Sequence, residues 1–206
     1  MSAQSEFGCV YVVDDDDAVR AGLRLLLGSC GLRSQGYTSA QAFLDAVPPG
    51  VDGCLLLDVR MPGMSGLDLQ ERMQAAGIEL PVILLTGHGD VPMAVRAMKR
   101  GAHDFIQKPF NDQYLLDRVQ EALQLSRRQI ERRQLLQGLR ERLGRLTARE
   151  QAVLDRLVLG QANKLIAAEL GISERTVEVH RAHVMEKMEA RTLAQLIQLM
   201  GELQRD

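Results

Sequence analysis

CVYVVDDDDAVR, residues 9–20, decides the fold. Five apolar residues, Cys9 to Val13, run without a polar break, as a strand covered on both faces should. Four aspartates follow at once. From Ala18 to Leu27 the period changes, with Val19, Leu23, Leu26 and Leu27 at helical spacing. A buried strand, an acidic turn and an amphipathic helix make one βα unit, and the same sentence recurs downstream. Arg33 to Tyr37 is a weaker strand, followed by a helix that Ser39 caps and that Pro48-Pro49-Gly50 ends. Cys54-Leu55-Leu56-Leu57 is a second buried strand, and Gly66 to Ala76 is helical. Pro81 to Thr86 is a strand, Val91 to Arg100 a helix, His103 to Gln107 a short strand, and Asn111 opens a further helix. Strands alternating with helices imply a parallel sheet with helices on both faces.

The pattern changes from Val119 to Leu143, which is dense in Gln, Glu, Leu and Arg and free of proline. This predicts a long exposed helix continuing from the fifth βα unit, with Gly138 as the place where it would fray. Beyond it everything reads as helix. Thr147-Ala148-Arg149-Glu150 is a capping box ahead of Val153, Leu154, Leu157 and Val158. Gly160 stops that helix, a short one runs from Asn163 to Leu170, Gly171 turns the chain, Ser173 caps a helix to about Met188, and Thr192 caps the last. The expected division is therefore 1–121, a helical linker 122–142, and an all-helical 143–206.

Charge divides the same way. Residues 1–121 hold 10 Lys+Arg and 16 Asp+Glu, net −6, and residues 122–206 hold 15 and 11, net +4. A basic second half is what a polyanion partner requires. No uncharged apolar stretch approaches the roughly 18 residues of a membrane helix, and MSAQSEFGCV lacks a basic, then apolar, leader. A cytoplasmic protein with no membrane partner is expected. Three scattered cysteines, Cys9, Cys30 and Cys54, form no CxxC pair and are expected reduced and buried.

In an open parallel sheet, ligands gather at the carboxyl ends of the strands. Strand one ends in Asp14-Asp15, strand three in Asp58, strand four in Thr86 and strand five in Lys108-Pro109. Close carboxylates repel unless a cation sits among them, and an all-oxygen site with few protein ligands suits Mg²⁺. A carboxylate can also be a nucleophile that forms an acyl phosphate. Asp58, alone on its strand, is the candidate nucleophile, with Asp14 and Asp15 holding the ion. Thr86 and Lys108 are placed to hold phosphoryl oxygens. Asp16 and Asp17 are expected only to cap the first helix.

On these residues the first half resembles the receiver domain of two-component response regulators, through VYVVDDDDAVR (10–20), LLLDVRMPGMSGLDL (55–69), VILLTGHGDVPMAVRAMKRGAHDF (82–105) and IQKPF (106–110). The resemblance implies a flavodoxin-like (βα)5 fold with Asp58 as the phosphoacceptor. It implies Mg²⁺ held by Asp14, Asp15, Asp58 and the Arg60 main-chain carbonyl, Thr86 as switch hydroxyl, Phe105 as switch aromatic, and a cis Lys108–Pro109 bond. Arg60 and His88 would flank the path of attacking water. A sensor histidine kinase is the implied phosphodonor.

LTAREQAVLDRLVLGQANKLIAAELGISERTVEVHRAHVMEKM, residues 146–188, resembles the LuxR-type four-helix helix-turn-helix domain, and the chain as a whole is similar to the FixJ/NarL class. Double-stranded DNA, a homodimer on phosphorylation and a contact with RNA polymerase are the implied partners. At 100° per residue Val177, Val184 and Met188 share the core side of the capped helix, and Arg175, Val179, Ala182 and Glu186 lie opposite, flanked by Glu178 and His183. Arg175, Glu178, Val179 and Ala182 are candidate base readers. Lys164, Thr176, Arg181 and Lys187 are candidate phosphate contacts, with Arg181 obliged to snorkel past the core. Two other readings stay open: a phosphatase using an aspartyl-phosphate, disfavoured by Arg60 where a second acid belongs, and an adaptor whose helical half binds protein. The expected protein is not an enzyme but a phosphorylation-controlled transcription regulator.

Overall fold

The computed structural model describes residues 8–87 and 91–205; His88 lies outside the described residues, as do the first seven. The chain divides into two units between Ile130 and Glu131, inside the expected linker.

In the first unit five strands, β1 (Cys9–Val13), β2 (Ser34–Tyr37), β3 (Gly53–Asp58), β4 (Val82–Thr86) and β5 (Asp104–Gln107), form one parallel sheet in the order β2-β1-β3-β4-β5. Helices α1 (Asp17–Ser29), α2 (Ala40–Ala46), α3 (Gly66–Ala75), α4 (Val91–Lys99) and α5 (Asp112–Gly144) connect and follow them. The strand alternation separates two cores. Tyr11, Val13, Leu55, Leu57, Val82 and Leu84 face the α2/α3/α4 side, where they meet Phe43, Leu69, Met73 and Ala97. Val10, Val12, Cys54, Leu56, Ile83 and Leu85 face the other side, against Leu23 and Leu27 of α1 and Leu115, Val119 and Leu123 of α5. Burial on both faces is why these runs contain no polar residue.

Local signals set the element ends. Asp16 is the N-cap of α1, its carboxylate accepting from the Ala18 and Val19 N–H groups. Ser39 caps α2, and Asn111 accepts from the Tyr114 N–H at the start of α5. Cys54 is buried, but Cys30 is exposed and Cys9 half-buried, which corrects the expectation for the cysteines. Cys30 is the C-cap of α1, where the chain leaves the sheet surface and no layer covers it.

The helix α5 is 33 residues long and passes through Gly138 without a break. Near its middle it is tied to the sheet of the first unit by Ser126, 2% exposed. The Ser126 hydroxyl donates to Asp52 Oδ1 (2.8 Å) and accepts from the Gly53 N–H (3.1 Å).

The second unit packs the end of α5 with α6 (Ala148–Val158), α7 (Asn163–Leu170), α8 (Glu174–Lys187) and α9 (Leu193–Gln204). Its core is Leu139, Val153, Leu154, Leu157, Ile166, Val177, Val184, Met188 and Leu196. The Thr147–Glu150 capping box, the left-handed Gly171 (φ 65°), and the Ser173 and Thr192 caps form as the sequence predicts. Among the described residues no helix is long and apolar enough to cross a membrane.

Candidate functional site

Strand order reverses between β1 and β3, since the chain steps from β1 out to β2 and returns across it. That reversal opens a crevice at the carboxyl ends of the two strands. Asp14 follows β1 and Asp58 ends β3, so both stand at the crevice. Asp14 and Asp58 are 2% and 8% exposed, Thr86 1%. Each carboxylate is held by main chain: Asp14 Oδ1 accepts from the Asp16 N–H (2.9 Å), and Asp58 Oδ2 from the Arg60 N–H (2.7 Å). Their other oxygens share one cation. Lys108 Nζ donates to Asp14 Oδ2 at 2.7 Å and to Asp58 Oδ1 at 2.8 Å. Burial works to lower the Lys108 pKa, but the hydrogen bonds to Asp14 and Asp58 outweigh it and the net shift is upward, so the bridge carries a full positive charge. The Lys108 N–H also donates to the Thr86 carbonyl (2.7 Å), which ties strands β4 and β5 together at the rim. The Lys108–Pro109 bond is cis.

Two further residues shape the pocket. Arg20, nearly buried, donates to the Asp14 carbonyl (2.5 Å) and pairs with Asp17. Gly66 opens α3 so close to β3 that a Cβ there would lie 2.3 Å from the Asp58 carbonyl oxygen. No side chain fits, and the glycine lets the helix start press directly on the Asp58 backbone.

Asp15 and Arg60 are exposed at the same rim, and Phe105 is half-buried on β5, opposite Leu84 in register. Among the described residues no three His, Cys, Asp or Glu side chains close around a common point. The donor set nevertheless fits Mg²⁺. That ion keeps several waters and takes one or two carboxylates from a protein, and Asp14 and Asp58 already converge on a single cationic atom.

In the second unit α8 presents the expected face: Arg175, Glu178, Val179, Ala182, His183 and Glu186 are exposed, and Val177, Val184 and Met188 are buried. Val179 is 49% exposed, large for an apolar side chain. Lys164 is exposed on α7, and Thr176 is half-buried with its hydroxyl 2.8 Å from that of Ser173 in the cap. Arg181 is half-buried and donates to Asn163 Oδ1 (3.3 Å).

Lys187 has partners that the sequence reading lacks. Its side chain is one-third exposed, and its ammonium donates within the domain to Glu150 Oε2 (2.6 Å) and to the Arg145 carbonyl (3.3 Å). Glu150 is 3% exposed and accepts as well from the Thr147 N–H (2.8 Å). The Lys187 hydrogen bond, and after it the Thr147 N–H, hold the Glu150 carboxyl down to about 2. Sequence reasoning found Glu150 as a cap but missed this partner, 37 residues away, because spacing within one helix carries no signal for it.

Residues 10–120 match the family of response regulator receiver domains, and residues 144–200 match the luxR family of bacterial regulatory proteins. The chain belongs to the response regulators. It is 50% identical over 190 residues to the transcriptional regulatory protein FixJ of Azorhizobium caulinodans, covering 92% of this chain and 90% of that one. It is 47% identical over 194 residues to Nodulation protein W of Bradyrhizobium diazoefficiens, covering 94% and 86%. Among solved structures it resembles response regulator StyR (TM-score 0.87, 46% identity, 95% of this chain and 99% of that one) and full-length FixJ from B. japonicum (TM-score 0.59, 44% identity, 97% and 98%). Such response regulators act in two-component signalling to regulate transcription and are not enzymes. Their receiver implies a histidine kinase partner, their luxR-type domain implies binding to DNA, and receivers generally bind Mg²⁺ at the acidic pocket.

Proposed function

We propose that Asp58 is the phosphoacceptor of this response regulator and that its phosphorylation controls DNA binding by α8. The observation that carries the reading is the Lys108 ammonium bridging Asp14 and Asp58 at the strand-order reversal. An Asp58 carboxylate oxygen attacks phosphorus, the bond to the donor's imidazole nitrogen breaks, and that nitrogen leaves with the electron pair. Asp14, Asp15, Asp58 and the Arg60 main-chain carbonyl would hold Mg²⁺, which when bound would supply positive charge opposite the transferring phosphoryl group. Lys108 is the residue that then holds a phosphoryl oxygen, and Thr86 holds another.

A phosphoryl group brings about −1.5 to −2 charges and three strong acceptors. Thr86 is drawn toward it, and Phe105, half-buried beside β4, turns into the space left. This repacks the α4–β5 face and favours a homodimer that places two copies of α8 on paired half-sites. Arg175, Glu178, Val179 and Ala182 read bases, with Lys164, Thr176 and Arg181 on phosphates. The units of function are 1–121, the linker 122–142 and 143–206. The regulator acts in the cytoplasm, where its DNA and RNA polymerase are.

Intact mass and light scattering with Mg²⁺ and a small phosphodonor test this on wild type and Asp58→Asn. One added phosphoryl group and a monomer-to-dimer shift are expected for wild type alone. An adduct of the same mass on Asp58→Asn would place the acceptor elsewhere.

A further inference from the structure

The positive charge of the second unit is not where a DNA-reading domain is expected to carry it. Helix α8 holds Glu174, Glu178 and Glu186 against Arg175, Arg181 and Lys187, so it is neutral overall. Residues 150–206 hold seven Lys+Arg and nine Asp+Glu, net −2. Residues 131–149 hold six arginines and two glutamates, net +4. Duplex binding draws most of its sequence-independent strength from cations on phosphates, and α8 has little to give. Lys187 is engaged with buried Glu150, and Arg181 is half-buried on Asn163.

The C-terminal part of this segment, at Arg142 and Arg145, lies against one end of α8. The Lys187 ammonium donates to the Arg145 carbonyl (3.3 Å), and Arg142 pairs with Glu189 just beyond α8 (2.6 Å). Both bonds join the α5–α6 turn to the C-terminal end of the reading helix. Arg142 is neutralised there, but Arg145 in the turn and Arg149 on the first turn of α6 are exposed. Helix α8 has 14 residues, about 21 Å at 1.5 Å per residue, whereas the major groove is about 12 Å wide. With its N-terminal turns reading bases, α8 extends past the groove, and whatever packs on its far end meets sugar-phosphate.

We propose that Arg145 and Arg149 form a second phosphate-contacting surface, beside the C-terminal end of α8, that supplies much of the sequence-independent affinity for duplex DNA. This rests on the reading of the second unit as the DNA-binding unit. The surface positions α8 and carries no base information.

The test measures affinity of the full-length, beryllofluoride-treated protein for a 30-base-pair duplex of arbitrary sequence across a salt series. Removing two phosphate contacts should flatten the slope of log K against log salt by about 1.8, and weaken binding about 60-fold at 0.1 M salt relative to equal affinities at 1 M. Arg145→Gln/Arg149→Gln should show this, and Arg145→Lys/Arg149→Lys should keep most of the wild-type slope. A glutamine pair with the wild-type slope, while wild type binds in a salt-dependent way, overturns the surface and leaves the DNA-binding reading standing. A lysine pair as flat as the glutamine pair also overturns it, because packing rather than charge would then be responsible. Wild type that binds no duplex at any salt overturns both. Circular dichroism melting confirms that the exposed substitutions leave the fold intact.

Discussion

Replacing Lys108 with methionine keeps most of the unbranched stem and removes the cation that Asp14 and Asp58 share. Counting side chains alone, Asp14 and Asp58 are 4% and 11% exposed and Lys108 22%. Breaking a buried ion pair by deleting one partner costs about 3–5 kcal/mol, because the other charge stays behind without water. Here the lysine is partly wet, and solvent screening brings the expected loss down to about 2–3 kcal/mol in Mg²⁺-free buffer. The loss should be reversible by metal. Asp14 and Asp58 would hold Mg²⁺ in the proposed site and are the carboxylates the ammonium neutralises, so the variant is expected to bind the ion with less competition. At about 100 times its dissociation constant the ion adds about 2.7 kcal/mol to the folded state, enough to cancel most of the deficit. Urea unfolding followed by circular dichroism, in EDTA and in saturating Mg²⁺, reads both effects. The reasoning is refuted if Lys108→Met unfolds in EDTA at the wild-type urea concentration, or if Mg²⁺ stabilises the two proteins equally.

Three further outcomes are expected. Glu150 titrates near 2 in the folded chain against an ordinary value of 4.5; because its folded pKa is depressed, its contribution is complete above pH 4.5 and disappears as pH falls toward 2. The thermal midpoint should therefore drop more steeply across that window for wild type than for Glu150→Gln, and parallel curves would refute the assignment. Lys187→Gln should lower thermal stability while leaving the salt slope of duplex binding unchanged, since its ammonium is engaged within the domain; a slope reduced by about 0.9 would return it to the phosphate set. Ser126→Ala leaves the Gly53 N–H buried without its acceptor and should cost about 1–3 kcal/mol in urea unfolding, whereas a neutral effect would mean that α5 is seated by its apolar residues alone.

The features legible in the sequence are those that local chemistry determines. The Val10–Val13 and Leu55–Leu57 runs read as doubly covered strands because nothing polar survives between two helical layers. Ser39, Thr147, Ser173 and Thr192 read as caps because the bond each makes spans only three residues. Asp14, Asp58, Thr86 and Lys108 could be gathered onto one rim because parallel strands all end on the same side. The resemblance to receivers and LuxR-type domains named their roles; spacing alone gave only an acidic, metal-fitting, nucleophile-bearing pocket. Ser126 with Asp52 and Lys187 with Glu150 were not legible, lying 74 and 37 residues apart with no periodicity to connect them. Cys30 was misplaced because a preference of cysteine for interiors says nothing of a helix end that happens to face water.

The alternation along β4 has a mechanical meaning. Leu84 is wedged into one layer of helices and Leu85 into the other, and Thr86 is the next residue. Interiors packed like organic crystals yield little, so the strand cannot slide or tip at its end while either layer stays still. In the proposed switch, a tug of a fraction of an ångström on the Thr86 hydroxyl would be felt on both sides of the sheet at once, as a drumhead struck at its rim moves the air on both sides. For a protein proposed to make one chemical event known elsewhere, an interior strand gripped from two sides would serve as the sounding board.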